Sequence, residues 1–262
     1  MNQTLEPRRL GWLARKDFFA IWRGTAIAAG AVAGSIFIIA VLGALIERQR
    51  VADYSAAFQF ALVVWGAIAA SLAFGELHDK TRNEDFLLLP ASSLEKVLVR
   101  LIRVSVVLPV FILIVVFLAS ILSEATTSLF FSIPFRPFNP LAGDNWTLMG
   151  CIIIMQSVFF LGAAWFKKAH LLKTGLSLMI FGIALGFVAA FVFRLLFAAY
   201  FEGFFTPVAM NIDFEVLMHQ RFPALMDTLE VIGKTVFYGL LAPFCWFVAW
   251  LRVKETQSSD GI

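Results

Sequence analysis

The sequence predicts an all-α integral membrane protein: six transmembrane helices, an N-terminal amphipathic helix at the membrane interface, and both termini cytoplasmic. Three observations predict it. Of 262 residues, 60% are apolar and 15% charged, where a soluble domain has roughly 45–50% and about 25%. Twenty-nine Phe and seven Trp stand against three Tyr, more apolar side chain than a soluble core would hide. Six runs of 16 to 23 residues carry no charge at all. The same composition excludes a disordered chain, a collagen and a disulfide scaffold.

Each element follows from the chain in order. Residues 1–23 hold Arg8, Arg9, Arg15, Lys16 and Arg23 among Leu10, Trp12, Leu13, Phe18, Phe19 and Trp22, a mixture that suits a helix on the membrane surface. A cytoplasmic extension of the first span is the plainer alternative. A cleavable signal peptide does not fit, because the apolar run that follows exceeds the 7–15 residues or so of such a segment. The spans are 24–46, 56–75, 104–122, 147–165, 174–193 and 235–250, each close to the roughly 20 residues that cross a hydrocarbon core of about 30 Å. The chain therefore divides into an interfacial helix (1–23), spans one and two (24–75), a loop (76–103), spans three to five (104–193), an outer segment (194–234), a sixth span (235–251) and a tail (252–262). Residues 195–205 either prolong the fifth helix or fold back into the membrane.

Charge sets the orientation. Fifteen of the 21 Lys and Arg lie in 1–23, 76–103, 166–173 and the C-terminal tail, and six in the segments on the other side, while the 18 acidic residues divide equally. A Lys/Arg excess marks the cytoplasmic side. The net charge of +3 is too small to imply nucleic acid.

Little in the chain suggests bond chemistry. The six spans contain no Asp, Glu, His, Lys or Arg, and ionisable groups at depth are the usual mark of a proton path or an intramembrane active site. Gln156 and Ser157, midway along the fourth span, are the strongest polar pair; an interhelical hydrogen bond is the simple reading, and a contact in a transport path the sharper one. His78, His170 and His219 fall in separate loops, so they form no metal site, and Cys151 and Cys245 read as unpaired small apolar residues. Gly233-Lys234-Thr235 resembles the end of a phosphate loop, but Thr228 stands where the first glycine belongs. Asn145-Trp146-Thr147 matches a glycosylation sequon too close to the membrane to carry meaning. Gly30 and Gly34 in the first span, and Gly182 and Gly186 in the fifth, have the spacing that lets helix backbones approach closely, within one subunit or across a dimer seam. Pro109 and Pro243 each remove a backbone donor and predict kinks in the third and sixth helices.

The loop 76–103 is the informative segment. Residues 76–85 are dense in both charge signs, and Phe86-Leu87-Leu88-Leu89 then sets four large apolar residues in a loop, which must be covered by the protein's own helices, by lipid or by another protein. Pro90 stops the preceding structure. Ser92-Ser93-Leu94-Glu95 matches a capping box, with Ser92 as N-cap and Glu95 at the third helical position, so a helix starts near Ser93 with Leu94, Val97, Leu98, Leu101 and Ile102 along one face.

This layout resembles the permease subunit of bacterial type-2 ABC exporters. Lys80-Thr81-Arg82, followed by Phe86-Leu87-Leu88-Leu89-Pro90-Ala91-Ser92-Ser93-Leu94-Glu95-Lys96, is similar to the LLPAS-x-x-EK segment of many members, over some 20 residues. The resemblance implies that this loop is a coupling helix fitted to a separate ABC-type ATPase, with Arg82, Glu84, Asp85, Phe86, Leu87, Leu88 and Leu89 in contact with it. It also implies a homodimer or heterodimer of permeases with two ATPases, in a bacterial cytoplasmic membrane. The chain would then be no enzyme and hold no cofactor, Mg-ATP being bound on the partner, and would move an unidentified substrate, outward in this family. Helices near 194–234 would close an outer gate; Asp227, Glu230 and Lys234 share one helical face there. A non-transporting membrane scaffold or assembly protein is the alternative.

Overall fold

A computed structural model of the chain describes residues 6–46, 53–78, 91–196 and 223–259. Among these it contains nine α-helices and no strand. In chain order they are α1 (Pro7–Ile46), α2 (Tyr54–Ser71), α3 (Gly75–His78), α4 (Ser93–Ile102), α5 (Leu108–Phe131), α6 (Gly143–Trp165), α7 (His170–Leu196), α8 (Pro223–Thr235) and α9 (Leu241–Ser259). Six continuous helical segments are long and apolar enough to cross a membrane, so the chain is a multi-pass helical membrane protein.

The first helix departs from the expected pattern. A separate interfacial helix over 1–23 does not form; α1 runs unbroken for 40 residues, about 60 Å at the α-helical rise and twice the hydrocarbon thickness. Pro7 stands at its first position, where a missing N–H costs nothing. No later proline interrupts it, and isolated glycines such as Gly24 do not break a helix. The basic stretch is thus an extension of the first span.

Two compact units make up the chain, residues 1–171 with 242–262, and residues 172–241. The first holds both apolar clusters. In one, Tyr54, Phe58 and Leu62 of α2 meet Ile112, Leu113 and Val116 of α5, Met149 and Ile152 of α6, and Ile36 of α1. In the other, Ala70, Phe74 and Leu77 meet Val97 and Val104, Phe160 and Ala163 of α6, and Ala249 and Val253 of α9. Small residues at 70, 73, 163, 164 and 249 bring these backbones close, as suits helices packed without a hydrophobic drive between them. The second unit holds most of α7 and all of α8. Leu176, Ile180, Ile183 and Phe187 of α7 are exposed, an all-round apolar surface of the kind lipid covers.

Both prolines coincide with a widening of the helix. A π-helical turn, Arg103–Val107, joins α4 to α5 just before Pro109, and a second, Val236–Leu240, precedes Pro243 in α9. A proline ring collides with the carbonyl four residues back, here those of Ser105 and Gly239. The extra residue in a π turn gives that carbonyl room.

Candidate functional site

The polar residues that matter gather at the two ends of the first unit. At one end α4 carries the predicted capping box: the Ser92 hydroxyl accepts from the Glu95 backbone N–H at 3.2 Å, and Glu95 Oε2 accepts from the Ser92 N–H at 2.9 Å. Glu95 does more than cap. Its other oxygen accepts the Glu6 N–H at 3.0 Å and lies 3.6 Å from Arg9 Nε, and the side chain is fully buried. One turn on, Arg100 donates to Glu76 of α3 at 2.8 Å, lies 4.0 Å from Asp17 of α1, and stacks over the Phe74 ring at 5.4 Å. Arg103 donates to Asp17 at 2.8 Å. Four charges from α1, α3, α4 and the π turn therefore hold one another where Arg100 is 5% exposed. Removing one partner of a buried pair of this kind costs on the order of 3 kcal/mol, because the other charge is left uncompensated.

This network turns α4 round. The face expected to line one side, Leu94, Val97, Leu98, Leu101 and Ile102, is only partly covered: Val97 is buried while Ile102 is 51% exposed. Glu95, Lys96 and Arg100 are buried in its place. Glu95 and Arg100 have partners in Arg9 and Asp17 of α1 and Glu76 of α3, and an apolar side chain turned outward from a membrane bundle loses nothing by facing lipid.

At the other end sits an acidic residue that the spans as read from sequence leave out. The third helix does not stop at Leu122; α5 continues to Phe131 and carries Glu124, 5% exposed. Glu124 Oε1 accepts from the Tyr54 hydroxyl of α2 at 2.7 Å, and Oε2 accepts from the Arg136 N–H at 2.9 Å. Four residues earlier the Ser120 hydroxyl accepts from the Phe138 N–H at 3.1 Å, and Asn145 of α6 donates to the Asn139 carbonyl at 2.9 Å. Together they fasten the α5–α6 connection and α2 to the end of α5. The run Ser120, Ser123, Glu124, Thr127 at helical spacing was the available signal, since buried polar residues on one face of a membrane helix need partners.

Gln156 and Ser157 lie deep inside, at 2% and 1% exposure. The interhelical hydrogen bond expected of Gln156 is not made: neither amide atom has a hydrogen-bond partner among the described residues. The amide packs instead on Gly66 of α2, closer than any Cβ there would permit. Ser157 bonds the Ile154 carbonyl of its own helix at 2.6 Å. A Cβ added at Gly30, Gly34, Gly182 or Gly186 meets no atom within 4 Å among the described residues. Cys151 and Cys245 form no disulfide. Arg82, Glu84, Asp85, Phe86, Leu87, Leu88 and Leu89 lie outside the described residues, as does most of 194–234; the described part of that segment includes α8, where Lys234 bonds Glu230. No group of His, Cys, Asp and Glu able to hold a metal occurs among the described residues.

Compared with protein-family models, curated proteins and solved structures, the chain matches none.

Proposed function

We propose that the chain is the membrane-spanning subunit of an ABC transporter in a bacterial cytoplasmic membrane, moving its substrate outward while a separate ATPase subunit hydrolyses ATP. The observation that carries this reading is the join at α4. In the sequence the apolar run Phe86-Leu87-Leu88-Leu89 and Pro90 immediately precede a helix capped by Ser92 and Glu95. That helix is tied by Glu95, Arg100 and Arg103 to the first residues and first turns of α1 and to α3. A push on the loop would be passed to α1 and α5 together, as a rigid-body switch between two states requires. The basic end, with the termini, is then the cytoplasmic one. Phe86, Leu87 and Leu88 are the buried anchors on the ATPase, and Arg82, Glu84 and Asp85 its polar rim.

Copurification of the tagged chain with an ABC-type ATPase subunit from its source cells tests the proposal. Phe86→Ala with Leu88→Ala should release that subunit, with an affinity loss of roughly 30-fold or more, while the permease still inserts and unfolds at its normal temperature. Arg82→Ala alone should act mildly and depend on salt. Retained ATPase binding by a double variant that is destabilised on its own would mean the loop packs against its own bundle, and the reading would fail.

A further inference from the structure

The part of α1 that precedes the first apolar span carries a stripe of its own on its outward side. Arg8, Trp12, Arg15, Phe19 and Trp22 follow one another at intervals of four and three residues, which puts all five on one face of a helix. All five are exposed, Trp12 at 69% and Phe19 at 64%. The Arg15 guanidinium lies over two of the rings, 6.0 Å from that of Trp12 and 5.8 Å from that of Phe19, so these three side chains hold one another. Asp17 is the only acidic residue of α1. It falls on the opposite face and accepts from Arg103 at 2.8 Å.

That ion pair also gives the stripe its level. Arg103 is the last charge before the uncharged run that leads into α5, so Asp17, beside it, stands where that run enters the membrane. Arg15 and Phe19 lie two residues from Asp17, about 3 Å along the helix, and Trp12 and Trp22 about 7.5 Å to either side. A headgroup layer is about 5–8 Å deep. The stripe brackets it.

We propose that this face of α1 binds anionic phospholipid in the adjoining leaflet. Arg8 and Arg15 hold the phosphodiester, while Trp12, Phe19 and Trp22 rest among the headgroups and the upper acyl chains. Charge complementarity decides the occupant: the stripe offers cations and rings and no carboxylate, and basic residues at a membrane boundary draw acidic lipid. Tryptophan is the side chain that concentrates at headgroup level. A second copy of the chain does not suit the face, because a two-fold axis along the membrane normal would set Arg8 and Arg15 against the same arginines. With its guanidinium already held between two rings, Arg15 is in place before the lipid arrives.

Photo-crosslinking from within the stripe tests this. A benzophenone amino acid replaces Phe19 in the full chain, the protein is placed in vesicles of phosphatidylcholine with a minority of phosphatidylglycerol, and the adducts are identified by mass. Phosphatidylglycerol should be captured at least about threefold above its share of the bilayer. Arg8→Gln/Arg15→Gln should bring capture down to that share. Lys167→Gln/Lys168→Gln, which removes two exposed charges from the turn after α6, should leave the excess unchanged. Capture at the bulk proportion before any charge is removed would overturn the proposal, as would an equal loss in both charge variants. Adducts to a second copy in the vesicles, or to another protein as the main product in intact cells, would overturn it too. The proportion captured before any charge is removed needs neither variant, so it decides the question even where one fails to fold.

Discussion

Two single residues change the reading of the membrane interior. Gly66 is the neighbour that Gln156 requires, since any Cβ would occupy the amide's place. Gly66→Ala should therefore displace Gln156 and cost about 1–3 kcal/mol of stability by overpacking, seen as a lower thermal midpoint in detergent. Gln156→Leu separates two roles. It removes an amide that has no hydrogen-bond partner among the described residues, so a purely structural residue predicts unchanged or raised stability with normal transport; lost transport in an equally stable variant would mark Gln156 as a contact of the moving substrate. Glu124 makes the opposite case, because both oxygens are engaged. Glu124→Gln keeps one acceptor for the Arg136 N–H but turns an NH2 toward the Tyr54 hydroxyl, which must then accept rather than donate, and Tyr54→Phe leaves a buried carboxyl oxygen without its donor. Each should cost about 1–3 kcal/mol, and the double variant should cost less than the sum. Neither pair was legible in the sequence. Gly66 and Gln156 meet only once α2 and α6 are known to be neighbours, and Glu124 was lost because a span drawn along uncharged residues stops two positions short of it.

At the scale of elements, what is local in cause was legible and what needs a partner was not. The start of α4 follows from four residues, Ser92 to Glu95, whose side chains satisfy each other's backbone donors whatever lies around them. The orientation of the same helix does not follow, because Glu95 and Arg100 point inward only by virtue of Glu6, Asp17 and Glu76, up to 89 residues away. Likewise the basic stretch of α1 has the composition of a surface helix, yet helix continuity, together with ion pairs to α4 and the π turn, makes it an unbroken extension of the first span. The glycine rows are a third instance. With open space beside Gly30 and Gly34, Leu at both positions should fold and insert normally. If a second copy docks there, the Gly30→Leu/Gly34→Leu variant should shift from dimer to monomer in light scattering. Unchanged mass would move any seam elsewhere, and Gly182 with Gly186, equally open, would be tested next.

At the scale of the whole molecule, the first unit is polarised, with its ion-pair network at one end and the Glu124 clasp at the other. The chain's six membrane-crossing segments were legible because uncharged length alone dictates them; their ends were not, since α5, α6 and the segment that ends in α9 all begin or run past the apolar runs that mark them. Lys and Arg predict which end faces the cytoplasm, because 15 of the 21 fall in the segments that the six spans would leave on one side. The assignment has a direct measurement. In a background with Cys151 and Cys245 replaced, a cysteine at Ser93 or Gln257 should resist a membrane-impermeant thiol reagent in intact cells and react once the membrane is opened. A cysteine at Asn139 should react at once. Asn139 suits the purpose because it is exposed and lies in the connection that Glu124 holds against α5. Ser93 is half-covered beside the ion-pair network, so its labelling in opened membranes is the needed control for access. Reaction at Ser93 and Gln257 in intact cells, with protection at Asn139, would invert the molecule. It would then place the loop of Phe86 to Leu89 on the side where no ATP is available, and the transporter reading would fall with the orientation.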